Sequence, residues 1–180
     1  MSRYAPGAAT GAEIEKNGDV WTLVLVRDLS HPPAKVWTAI TEPEHLRQWA
    51  PFDADRSLGT VGTAQLTTVG APTPVVAESR ITRADAPKVL EYTWGGQNMR
   101  WELEPRDAGT RLTLWHNSHK GFISMGATGW HVCFDVLKAL LDGDPIGRTV
   151  GPAAMQVPGW QRLHEDYAQQ LGVPMPTWRP

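Results

Sequence analysis

Apolar residues recur at helical spacing in the 31–52, 126–143 and 160–171 stretches of this chain, and alternate at strand spacing between the first two. Ahead of them, "DVWTLVLVRDL" (19–29) carries both alternation and an apolar run and predicts a strand. In "HPPAKVWTAITEPEHLRQWAPF" (31–52), Pro32 or Pro33 can open a helix whose Val36, Trp37 and Ile40 share a face. Thr41 and Glu44, with Pro43 between them, match a capping box and predict a second helix carrying Leu46 and Trp49; Pro51 stops it. Two short helices with narrow stripes cannot bury each other well, so they need a larger curved partner.

That partner is a meander. Strand-like segments at about 60–69, 75–83, 88–94, 99–105 and 110–117 are separated by Gly70/Pro72/Pro74, by "ADAP", by Gly95-Gly96 and by "RDAGT". Connections this short force antiparallel neighbours. Alternation puts Leu90, Tyr92 and Trp94 on one face, Met99, Trp101 and Leu103 on the next strand's matching face, and Leu112, Leu114 and His116 on the last. The faces of 60–69 and 75–83 are ambiguous. "GATGWHVCFDVLKALLDG" (126–143) reads as a long helix with Trp130, Cys133, Phe134, Leu137, Leu140 and Leu141 on its stripe and His131, Asp135, Lys138 and Asp142 opposite; Gly143 suits its C-terminal cap.

The expected fold is α+β: a curved six-stranded antiparallel sheet gripping a long C-terminal helix, with two short helices after the first strand and an extra C-terminal helix. The expected organisation is a flexible leader over 1–18, one domain over 19–142 and an extension over 143–180. A chain of 180 residues has room for a sizeable core. Nine tryptophans and 15 prolines are the only compositional departures. The net charge of −2, with scattered basic residues, gives no support for a nucleic-acid or anionic-membrane surface. The single cysteine, Cys133, rules out an internal disulfide. No apolar run approaches the ~20 residues of a membrane span, and the polar N-terminus lacks a signal-peptide core. A cytoplasmic location is the simplest expectation.

Together, the 31–52 stretch, "KVLEYTW" with its glycine turn, "TRLTLWHN" and "GWHVCFDVLKALL" resemble the activator of heat-shock-protein-90 ATPase homologue family, within the START-like (SRPBCC, Bet v 1-like) superfamily. The resemblance spans roughly 19–142. It implies a helix-grip fold with a cavity between sheet and long helix, and it implies no single activity: the superfamily holds carriers, receptors, cyclases and a co-chaperone domain. No catalytic positions transfer.

The inward aromatic face and the helix stripe supply the cavity candidates: His116, Trp101, Tyr92, Trp94, Met99, Trp49, Phe52, Trp130 and Phe134. His116 continues an otherwise apolar face, as a polar anchor, an acid or base, or a core histidine bonded within the fold. One of its nitrogens is expected to be free for a ligand. His116 and His119 form H-x-x-H, but the spacing straddles a strand end with no third ligand, so no metal is expected; nor is a cofactor. His131 and Cys133 lie about 200° apart on a helix and cannot pair, whereas His131 and Asp135 suit a surface pair. Gly121, Gly126 and Gly129, in the 117–129 segment, suggest a mobile flap, with the "GAPTP" loop a second gate. Trp160, Leu163, Tyr167 and Leu171 make a short stripe that must dock on the body or on a second copy, as in a homodimer. Binding of a small apolar or aromatic molecule leads. A cyclase- or hydrolase-like enzyme needs a second inward polar group, and a co-chaperone role follows from the family name alone.

Overall fold

The computed structural model describes residues 4–176. Eight antiparallel strands form one curved sheet: β1 (Ala12–Asn17), β2 (Val20–Leu29), β3 (Phe52–Ala54), β4 (Gly62–Thr68), β5 (Val75–Asp85), β6 (Val89–Trp94), β7 (Gln97–Arg106) and β8 (Gly109–Ser118), in the order β1-β2-β8-β7-β6-β5-β4-β3. Helices α1 (Pro33–Thr41) and α2 (Pro43–Trp49) follow β2, and the long helix α3 (Ile123–Leu141) follows β8 through a 3-10 turn, Lys120–Phe122. The extension forms a short helix α4 (Pro152–Met155) and then α5 (Trp160–Leu171). No helix among the described residues is long and apolar enough to cross a membrane.

The sheet has eight strands where six were expected. β3 is three residues long, too short for a period to show. β1 lies inside the stretch expected to be a flexible leader; its Ile14 packs on the core, while Glu13, Glu15 and Lys16 are exposed, so its pattern reads as polar. Charged side chains are what an edge strand needs to resist pairing with another sheet.

Alternation fixes the concave face as expected. Leu23 and Leu25, Leu112 and Leu114, Met99, Trp101 and Leu103, and Leu90 and Tyr92 are all buried there. Ala64, Leu66 and Ile81 continue it across the two strands whose faces were ambiguous. Trp130 and Phe134 of α3 stack on each other (5.7 Å) and meet Trp101 edge-on at 5.6 and 6.0 Å. Such pairs add a directional preference to the burial of large rings. α1 and α2 close one end, α1 against β7 and α2 against α3. The Trp49 indole donates to Ala39 O (2.8 Å), which ties the second short helix to the first. The capping box does not form: Thr41 ends α1 and its hydroxyl donates back to Trp37 O, while Glu42 takes the N-cap position of α2 and its side chain accepts from Ser57.

The outer face of α3 is not a solvated surface. α5 packs across it, with Trp160, Leu163 and Tyr167 buried. His131 and Asp135, expected to be a surface pair, lie under this cover. Arg27 Nη2 donates to His131 Nδ1 and to the Tyr167 hydroxyl, both at 3.1 Å. Arginine only donates, so Nδ1 accepts and Nε2 carries the proton that faces Asp135 at 3.3 Å. The Tyr4 hydroxyl donates to the same carboxylate (2.6 Å). The stripe that suggested a homodimer is therefore consumed within the chain.

Candidate functional site

A cavity of about 430 Å³ opens at the end of the sheet where α3 begins. Leu23, Trp94, Gln97 and His116 form its sheet wall. Met125, Gly126, Gly129, Trp130 and Cys133 form its helix wall. The third wall is the segment between α3 and α5, through Thr149, Val150, Gly151 and Ala154. Pro51, Ser118, His119 and Phe122 complete the lining, and Phe122 is 60% exposed.

Of the candidates, Trp94, His116 and Trp130 line this cavity. Trp101, Tyr92, Met99, Trp49, Phe52 and Phe134 do not: each is at most 2% exposed and packs behind it. Alternation gives them the right face, but the middle of the concave surface is filled by interlocking rings. Space remains only where α3 presents glycine. Gly126 and Gly129 are part of α3, not of a mobile flap; the helix begins at Ile123.

His116 has no free nitrogen, contrary to expectation. Trp130 Nε1 donates to its Nδ1 (3.1 Å), and its Nε2 lies 3.1 Å from Gln97 Oε1. The Trp94 ring stacks on the imidazole at 5.6 Å and is itself held by a bond from its indole to Thr68 (2.9 Å). Burial lowers the imidazole pKa to about 4, so the ring is neutral near pH 7. Burial pushes the Cys133 thiol up to about 12, against a weaker pull from Arg148. Neither group is set up as an acid, base or nucleophile.

A family model described as activator of Hsp90 ATPase homolog 1-like protein matches residues 30–142. The chain belongs to that family. The structure also carries the fold of the START-like (SRPBCC) superfamily. A conserved protein of unknown function from Enterococcus faecalis is similar over 88% of this chain and 89% of its own, at 17% identity and a TM-score of 0.67. CalU16 from Micromonospora echinospora is similar over 88% and 94%, at 20% identity and a TM-score of 0.63. At these identities the likeness establishes the fold alone. No curated protein matches in sequence.

The third wall of the cavity, Thr149, Val150, Gly151 and Ala154, lies beyond the span that the family model matches. Arg148 straps the segment down, donating to Ala50 O and to Asp53, both at 2.7 Å. Gly151 then crosses the β4–β5 loop so closely that a Cβ there would sit 2.4 Å from Gly70 O, and its φ of +59° also favours glycine. Nothing periodic in the sequence marks this strap. Gln97 was legible: two residues before Met99, it shares that residue's inward parity.

Proposed function

We propose that this protein holds one small apolar or aromatic molecule in the cavity between sheet and α3, as a carrier or sensor. The observation that carries this reading is the pair of glycines in the helix wall. A glycine inside a helix costs roughly 1 kcal/mol relative to alanine. Close packing does not demand these two: a Cβ at Gly129 would meet nothing within 4 Å, and one at Gly126 only a Leu23 methyl at 3.5 Å. They leave open a space of about 430 Å³ walled largely by carbon, within the range of small-molecule sites. A neutral His116 with both nitrogens engaged favours binding over acid–base catalysis.

The test is titration with the uncharged dye N-phenyl-1-naphthylamine (1-anilinonaphthalene), read by dye emission and by quenching of tryptophan. Wild-type protein is expected to bind it. Gly129→Leu places a side chain in the cavity and improves helix propensity, so it is expected to weaken binding at least tenfold while the melting temperature holds or rises. Undiminished dye affinity in a folded Gly129→Leu variant would move the site elsewhere.

A further inference from the structure

We propose that the cavity selects molecules carrying a neutral hydrogen-bond acceptor, such as a ketone carbonyl on a flat apolar frame, through the side-chain amide N–H of Gln97, and that His116 is the positioning residue that turns this amide. The proposal rests on the binding reading above and names the class of ligand.

The geometry runs as a chain of forced choices. The Trp130 indole can only donate, so His116 Nδ1 must accept. A neutral imidazole then keeps its one proton on Nε2. That proton faces Gln97, whose Oε1 must be the atom that receives it. The amide is planar, so its Nε2 is directed away from the imidazole. Among the described residues nothing accepts from that Nε2, and Gln97 lines the cavity. The residue opposite Gln97 in the β6–β7 register is Trp94, whose ring also lines the cavity. A donor thus stands beside an aromatic wall.

Charge narrows the class further. Gln97, Ser118, Thr149 and the imidazoles of His116 and His119 are polar side chains of the lining, and no lysine, arginine or carboxylate joins them. Arg148 is not part of the lining; its Nε and Nη1 are spent on Ala50 O and Asp53, and its Nη2 is buried without a partner among the described residues. An anion or ammonium would be desolvated against a lining that holds no lysine, arginine or carboxylate to pair with it, which is costly. A carbonyl needs only the one donor that His116 leaves over.

The test compares 9-fluorenone with fluorene, which share a flat frame and differ in the ketone, by tryptophan quenching with the full chain. Replacing Gln97 by leucine removes the donor and keeps the bulk. Q97L is expected to lower the ratio of fluorenone to fluorene affinity about tenfold relative to wild type, the scale of one desolvated hydrogen bond. H116F keeps an aromatic ring against Trp94 but frees the amide to rotate; it is expected to lose most of the same preference. Infrared spectra give an independent readout. The ketone stretch of bound fluorenone is expected to move to lower wavenumber in wild type and to return towards its apolar-solvent position in Q97L. An unchanged affinity ratio and an unshifted ketone band, with both probes bound, would overturn the role of Gln97 and leave the binding reading standing. Failure of wild type to bind either probe or the anilinonaphthalene dye would overturn both.

Discussion

At position 116 an imidazole is folded into a site that charges it only below about pH 4. In the unfolded chain the same group titrates near 6.5. Between those values the unfolded state binds a proton that the native state refuses, so stability rises with pH across the window and is lost as pH falls from 6.5 towards 4. The full difference is on the order of 3 kcal/mol. Urea midpoints at pH 7 and pH 4.5 measure it, and His116→Gln, which cannot titrate, is expected to flatten the difference. Some slope will survive, because burial also lowers the pKa of His164, bonded to Ser124. The inward direction of His116 was legible from the parity of Leu112 and Leu114. Its partners were not: Trp130 comes from α3 and Gln97 from β7, and strand alternation carries no information about which donor on another element arrives at a nitrogen.

Among the elements, α3 and the strap make opposite predictions. Phe134 is 2% exposed, stacked on Trp130 and edge-on to Trp101. Phe134→Ala is expected to cost about 3–5 kcal/mol by chemical denaturation. Gly151→Ala, by contrast, forces the strap off Gly70 at a site already exposed to water. Its expected signature is kinetic: faster association and dissociation of the dye in stopped flow, with a small change in melting temperature. The strand meander, the paired short helices and the stripe of α3 were all readable because period and punctuation agreed. β1 escaped notice because an edge strand buries so little, and the start of α3 was placed three residues late because "NSHKGFISMGATG" has the glycine content of a loop. Two of its three glycines, Gly126 and Gly129, share one property that composition hides: they sit in a helix where a cavity takes the place of their side chains.

For the molecule as a whole, the extension is structural. Deleting 158–180 removes α5 and strips the cover from His131, Asp135 and the buried Tyr167 hydroxyl's partners, Arg27 and Thr10. The shortened chain is expected to melt well below the full one and to elute as larger species, as exposed apolar surface drives association; identical melting and elution would contradict that. α3 itself is enclosed by the sheet on one side and by α5 on the other, so water reaches its backbone from neither. Its amide protons are expected to exchange with deuterium only through global unfolding, at the slowest rate in the protein. In the chain lacking α5 those same amides would exchange through smaller openings, so the extension decides whether the helix at the centre breathes independently of the fold around it.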